Sequence, residues 1–126
     1  MNPLLFLGIA AAGGLGAVAR LVVDGAIRAR WATRFPWGTT VINVTGSFLL
    51  GLVTGLAVAH VLDDSWKLVI GTGLLGGYTT FSTASVETVR LLRDGRLRAG
   101  LANGLGMLVG AVVASAIGML LGLAAS

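Results

Sequence analysis

The sequence predicts an all-α integral membrane protein with four transmembrane helices and a break in the third. Of its 126 residues, 56% are hydrophobic and only 11% are charged, whereas a soluble domain has about 25% charged residues. The charges fall into short stretches and leave four charge-free runs, each long enough to cross a bilayer, which takes about 20 residues. Four crossings leave no room for a soluble catalytic domain, so we do not expect an enzyme.

The predicted spans follow the charge-free runs in order, and together they form one domain over residues 1–126. The first span has no basic residue before it and ends near Arg20. A secretory signal normally begins with basic residues, so we expect this span to remain in the mature chain. The second span follows Pro36, the third begins at Lys67, and the fourth follows Arg98. The predicted boundaries are 3–23, 36–59, 67–88 and 99–123.

The residue inventory excludes several kinds of site. There is no cysteine and only one histidine, so a disulfide, a thiolate nucleophile and a two-histidine metal site are all ruled out. The net charge of +4 comes from arginines beside the spans, where basic residues set topology. We therefore do not expect nucleic-acid binding.

The positions of the basic residues predict a single orientation. If the helices alternate in direction, the first and third connections lie on one side of the membrane and carry all but one of the cations. The other side has only Lys67. Because basic connections stay in the cytoplasm, both chain ends should face outward. The cations of the basic side are Arg20, Arg28, Arg30, Arg34, Arg90, Arg93, Arg96 and Arg98.

Glycines spaced four residues apart recur within the spans, for example Gly51 with Gly55 and Gly118 with Gly122. Small residues at this spacing let transmembrane helices approach closely. The pattern predicts a compact bundle and an oligomer. Four thin helices scarcely enclose a polar path by themselves, so we expect at least a dimer.

The third predicted span is unusually rich in glycine and hydroxyl groups over residues 71–85. One interpretation is a helix break at Gly-Gly-Tyr-Thr-Thr, residues 76–80, because interrupted helices at membrane depth can turn freed backbone groups on an ion. The other is a continuous helix whose hydroxyls bond their own carbonyls four residues earlier. The residues alone leave both open.

Polar and aromatic residues at membrane depth are candidates for function. Asn43 and Asn103 could each form a hydrogen bond between helices or donate to a permeating anion. Arg20 could extend to the interface or attract anions into a vestibule. The positive edge of the Phe81 ring could favour an anion, although most such rings only pack. Glu87 could be a solvated helix-end charge or lie at a pore mouth.

These residues resemble the Fluc (CrcB) family of small bacterial fluoride channels. The string Gly-Gly-x-Thr-Thr-Phe-Ser-Thr at 76–83 is highly specific, and the resemblance covers nearly the whole chain. It also includes Gly13-Gly14 through Arg20, Gly38-Thr39, Asn43 through Gly46, and Glu87. It implies an antiparallel dimer in the bacterial plasma membrane, with two fluoride pores and a structural sodium ion.

By the same resemblance, the backbone carbonyls of Gly76 and Thr79 would bind sodium. Arg20 would lie in the vestibule, Asn43 would donate to fluoride, and Phe81 would be one ring of an aromatic pair. The polar path would also include Ser82, Thr83 and Asn103.

Two departures from the family indicate a heterodimer with a homologous, oppositely oriented subunit. The family has a second Phe where this chain has Ala84, so one pore could be degenerate. The strong charge bias also forbids insertion in both orientations. A non-conducting structural subunit is an alternative. A proton-coupled small multidrug antiporter is another, but it needs a carboxylate near the middle of a span, and the nearest ones, Asp24 and Glu87, stand at the edges of the spans.

Overall fold

The computed structural model describes residues 2–31 and 35–125, and the regular elements in these ranges are all helical. Helices α1, α2 and α6 are the long ones, and the third predicted span is built from shorter pieces. In chain order the elements are α1 (Pro3–Arg30), α2 (Trp37–Val58), α3 (Asp64–Lys67), a π-helix (Leu68–Leu75), α4 (Gly76–Tyr78), α5 (Phe81–Arg93) and α6 (Leu97–Ala124).

Local sequence signals explain where α1 begins and ends. Asn2 caps the helix, because its side-chain oxygen accepts a hydrogen bond from the Leu5 amide at 2.6 Å, and Pro3 suits the first turn, where no amide hydrogen is needed. The helix continues beyond the predicted span end at residue 23. Its last turn has Arg28 and Arg30, whose positive charges are favourable at a helix C-terminus.

Three helices are long and apolar enough to cross a membrane: α1, α2 and α6. The predicted third span has a different form, because α4 ends at Tyr78, α5 begins at Phe81, and the two threonines between them are extended. The described residues therefore form an all-helical, multi-pass membrane protein.

Helices α2 and α6 form the most extensive contact in the fold, and glycine makes it possible. A Cβ built on Gly51 would overlap the backbone of Ser115, and one on Gly118 would overlap the carbonyl of Phe48. Gly122 likewise lies against the backbone of Leu52. The two helices therefore touch backbone to backbone, as small residues allow in lipid.

Most of the other glycines pack within the chain as well. Gly73 and Gly77 lie against Ile9 and Gly13 of α1, so they hold the third span to the first. By contrast, Gly106 on α6 has open space where a Cβ would stand. The glycine spacing that predicted close packing is thus used largely inside one subunit.

The connections α1–α2 and α5–α6 meet at one end of the bundle. They line a cavity of about 220 Å³ together, which we call the basic-end cavity. Arg28 of α1 bonds Asp24 at 3.0 Å and approaches Glu87 of α5 at 3.8 Å. The charged residues that line this cavity are Asp24, Arg28, Glu87, Arg90, Asp94 and Arg96.

We expect Gly118→Ala to destabilise the protein by about 1–3 kcal/mol, because the added methyl forces α6 away from the Phe48 carbonyl. The measurement is the thermal midpoint of the detergent-solubilised protein, followed by tryptophan fluorescence. Gly106→Ala is the matched control on the same helix, since no described neighbour outside that helix lies within 4 Å of the new Cβ. Equal midpoints for the two variants would contradict close α2–α6 packing.

Candidate functional site

The site begins with two extended residues between α4 and α5. Thr79 has φ −80° and ψ 156°, and Thr80 has φ −148° and ψ 112°. The Thr79 amide still donates to the Leu75 carbonyl at 3.0 Å, but the amide and carbonyl of Thr80 lie outside the helical pattern, so these buried groups need other partners.

Asn43 of α2 supplies those partners to Thr80. The Thr80 amide donates to Asn43 Oδ1 at 2.8 Å, and Asn43 Nδ2 donates to the Thr80 carbonyl at 2.9 Å. Both side chains are buried. Of the two interpretations of Asn43, the structure shows the hydrogen bond between elements: its partners are the Thr80 main chain and, through Nδ2 at 3.1 Å, the Met107 thioether.

This pairing also changes the hydrogen bonds of the two carbonyls that the family resemblance names. In an α-helix each carbonyl accepts from the amide four residues later. For Gly76 that donor is Thr80, which bonds Asn43 instead. For Thr79 it is Thr83, whose amide bonds the Thr80 hydroxyl at 3.2 Å. Both carbonyls therefore lose their usual helical donors.

The hydroxyl groups around the extended residues bond one another and the backbone. The Thr80 hydroxyl donates to Thr83 Oγ1 at 3.0 Å and lies 3.3 Å from the Ser82 hydroxyl. The hydroxyls of Thr79, Ser85 and Thr88 bond the carbonyls four residues earlier, which is the pattern expected of hydroxyls in a continuous helix. Ser82 and Thr83 thus belong to the cap of α5.

A groove of about 510 Å³ runs beside the extended residues, between α2, α5 and α6. We call it the membrane groove. Phe81 lines this groove, and 87% of its surface is exposed. The polar and aromatic residues of its lining are Asn43, Ser47, Thr79, Thr80, Phe81, Ser85, Thr88 and Asn103, and the other lining residues include Ala84 and Met107.

Asn103 is the second residue with a side-chain amide in the lining of the membrane groove. It is only 1% exposed. Its Nδ2 donates to the Thr88 hydroxyl at 2.8 Å, which in turn donates to the Ala84 carbonyl at 2.8 Å. Within the described ranges, Asn103 Oδ1 is buried without a hydrogen-bond partner, and such a group is costly unless something pairs with it.

Our sequence reasoning missed Thr88 and Met107 as lining residues. Helical spacing could have indicated both, because residues four apart share a helix face. Thr88 follows Ala84 by four, and Met107 follows Asn103 by four.

Five of the predicted site residues lie outside the lining of the membrane groove, and two of them, Ser82 and Thr83, belong to the cap of α5 described above. Arg20 lies on α1, and its Nε is buried with no partner among residues 2–31 and 35–125. Glu87 lines the basic-end cavity beside Arg28, and its Oε1 is likewise buried and unpaired within those ranges. Gly76 is exposed on α4. The groove lining therefore includes Asn43, Phe81, Thr79 and Asn103 but not these five.

We expect Asn43→Ala to loosen the extended residues, because two buried backbone groups of Thr80 lose their partners at about 1–3 kcal/mol each. Hydrogen–deuterium exchange of the peptide covering residues 76–84 should become faster. Thr54→Val is the matched control on α2, since its hydroxyl bonds the carbonyl of Leu50 in the same helix. Unchanged exchange in the Asn43 variant would show that Asn43 does not hold this backbone.

Comparison with known proteins places this geometry in a family. Residues 7–119 match the family model described as "CrcB-like protein, Camphor Resistance (CrcB)". A relative from Leifsonia xyli subsp. xyli, called fluoride-specific ion channel FluC 1, is 57% identical over 122 residues, which is 97% of this chain and 89% of the relative. FluC 2 of Cutibacterium acnes is 47% identical, covering 92% of this chain and 95% of its own length. Because the family model covers most of the sequence and these relatives align along nearly all of it, the chain belongs to the CrcB family.

Proposed function

We propose that this chain is a subunit of a fluoride-selective channel that lets cytoplasmic fluoride leave passively through a dimeric assembly with two pores. The observation that carries the proposal is the membrane groove, whose lining has no charged residue and places amides and hydroxyls among apolar side chains, beside extended backbone. The names of the relatives, fluoride-specific ion channels, agree with it.

The chemistry of the groove suits a small, strongly hydrated anion. A conducting path must replace the lost water with donors, yet hold the ion weakly enough to release it. The amides of Asn43 and Asn103 in the groove lining are donors of this kind, and the edge of the Phe81 ring adds a partial positive charge. The hydroxyls of Ser82 and Thr83 lie in the cap of α5, next to Phe81 in the chain, and would extend the polar path. Arg20 would attract anions towards the path.

The groove requires a second protein surface. In its lining Asn103 Oδ1 is buried without a partner among the described residues, and acyl chains cannot satisfy a polar group of this kind. A second subunit that covers the groove would turn it into a pore. We therefore assign the lipid to the outer faces of the helices, and we assign a homologous partner to the groove.

The freed carbonyls of Gly76 and Thr79 fit a structural sodium ion. Unwound carbonyls bind sodium in other membrane proteins, and both carbonyls have lost their helical donors to side chains. Two oxygens are too few for such an ion. An inverted partner that contributes its equivalent pair would complete the site between the two subunits.

The charge distribution favours a heterodimer. The basic-end cavity gathers Arg28, Arg90 and Arg96 at one end, which by the positive-inside rule lies in the cytoplasm, with both chain ends outside. Such a chain inserts in one orientation, so its antiparallel partner must have the opposite bias. Relatives numbered FluC 1 and FluC 2 are consistent with organisms that have more than one such chain.

Ala84 supports a second candidate function, that of a structural, non-conducting subunit. It lines the membrane groove together with Phe81, at the position where the family has a second ring. A pore that lacks this ring is degenerate, and a subunit with such a pore could be a structural, non-conducting half of the assembly. A proton-coupled antiporter is not favoured, because the groove lining described for this chain contains no Asp or Glu.

Fluoride efflux from liposomes tests the channel and the heterodimer together. We expect rapid fluoride efflux, without chloride efflux, when the chain is reconstituted with a homologue of opposite charge bias, and at least tenfold slower efflux from the chain alone. Robust conduction by the chain alone would contradict the need for a different partner.

Phe81→Ala in the complex separates a conducting subunit from a structural one. This ring is so exposed that its loss should not unfold the chain, and we expect fluoride efflux to fall at least tenfold. Leu105→Ala is the control, because Leu105 is an exposed residue of α6 outside the groove lining. Unchanged efflux in the Phe81 variant would favour the structural role.

Removal of sodium tests the shared ion. We expect the complex to have a lower thermal midpoint, and to dissociate more readily, when sodium is replaced by N-methylglucamine at constant ionic strength. Lithium and potassium serve as controls for ion size. Equal midpoints with and without sodium would overturn the sodium site.

A further inference from the structure

We propose that Met107 is a latch on the fluoride path: its thioether holds the second amide hydrogen of Asn43 while no anion is bound, and it moves aside when one arrives. This inference rests on the proposed channel function. It assigns to Met107 a role in setting the apparent affinity of the channel for fluoride.

The hydrogen bonds of Asn43 account for both of its amide hydrogens. Because Asn43 Oδ1 accepts from the Thr80 amide, the orientation of the side-chain amide is determined and cannot be reversed. One hydrogen on Nδ2 then serves the Thr80 carbonyl at 2.9 Å, and Nδ2 lies 3.1 Å from Met107 Sδ. The second hydrogen is therefore paired with sulfur.

The bond to the Met107 sulfur is the weakest of the three hydrogen bonds that Asn43 makes. A thioether is a poor acceptor, whereas a hydrogen bond to an anion is roughly twice as strong as one between neutral groups. An anion that reaches Asn43 can therefore replace Met107 without disturbing the two bonds that hold Thr80. Asn43 can donate to an ion and support the extended backbone at the same time.

Met107 is placed to yield in this way. It is buried, with 7% of its surface exposed, and Asn43 is 9% exposed, yet both line the membrane groove. Methionine has three rotatable side-chain bonds and adapts readily to a changed environment. Asn103 lies four residues earlier on the same face of α6, so an ion that moves between the two amides passes Met107.

In this latch, Met107 sulfur and fluoride compete for the same Asn43 hydrogen, and a side chain without an acceptor atom would not compete. While sulfur occupies the donor, fluoride must displace it before binding. Leucine has a similar volume but no acceptor, so Met107→Leu leaves the Asn43 hydrogen unpaired in the empty channel. Binding of fluoride then gains a hydrogen bond without losing one.

The first measurement is the fluoride concentration that gives half-maximal efflux in the conducting assembly. We expect Met107→Leu to lower it about fivefold, the value of one modest hydrogen bond, and to lower the thermal midpoint slightly in the absence of fluoride, because the buried Asn43 hydrogen has lost its acceptor. Met119→Leu is the matched control, because Met119 lies on the same helix outside the groove lining. An unchanged half-saturation in Met107→Leu, or an equal change in both variants, would overturn the latch.

The second measurement needs no substitution. The sequence contains three methionines, so carbon-13 labelling of their methyl groups gives few NMR signals. We expect the Met107 methyl signal to shift on titration with sodium fluoride, saturably and in step with the Asn43 side-chain amide, while Met119 stays constant. Movement of the amide signal without the Met107 signal would overturn the latch. Wild-type protein that conducts no fluoride in any assembly would instead reject the proposed function itself.

Discussion

The pair of hydrogen bonds between Asn43 and Thr80 is the interaction on which the rest of the site depends. Extended backbone inside a membrane protein must find partners for its polar groups, because lipid offers none. One amide side chain meets this need from a neighbouring helix, with one donor and one acceptor. The interruption between α4 and α5 is thus supported within a single chain, before any partner binds.

Two consequences follow from that pairing. The Thr80 amide donates to Asn43 instead of to the Gly76 carbonyl. The Thr83 amide donates to the Thr80 hydroxyl, which caps α5, instead of to the Thr79 carbonyl. Neither carbonyl therefore has its helical donor, as the proposed sodium site needs. The remaining hydrogen of Asn43 is left to the groove, where Met107 is its acceptor. Backbone support and the donor that we propose for the anion therefore share one side chain.

Glycine packing fixes the positions of the helices that carry Asn43 and Met107. Gly51 and Gly118 bring α2 and α6 into backbone contact, and Gly77 brings the third span against Gly13 of α1. The helix that presents Asn43 and the helix that presents Met107 are consequently held at a fixed spacing. Close-packed interiors resist small displacements, and the 3.1 Å contact between Asn43 and Met107 depends on that resistance.

Composition and local pattern were sufficient for the coarse features of this protein. The membrane class, the helical content and the family string at residues 76–83 are all local properties, because each depends on residue types within one segment. The resemblance also selected Asn43 and Phe81, which both line the groove. Neighbouring positions such as Thr88 carry no motif of their own, so their part in the groove was not apparent.

The sequence by itself determined that this is an all-helical membrane protein of the CrcB family with its basic residues gathered beside two connections. Only the tertiary structure decided which backbone groups Asn43 serves, that Met107 accepts its second hydrogen, and that Arg20 and Glu87 lie apart from the groove. The physical reason is distance along the chain. Asn43 and Thr80 are 37 residues apart, so their meeting depends on how two helices rotate and pack, which residue types within either segment do not specify.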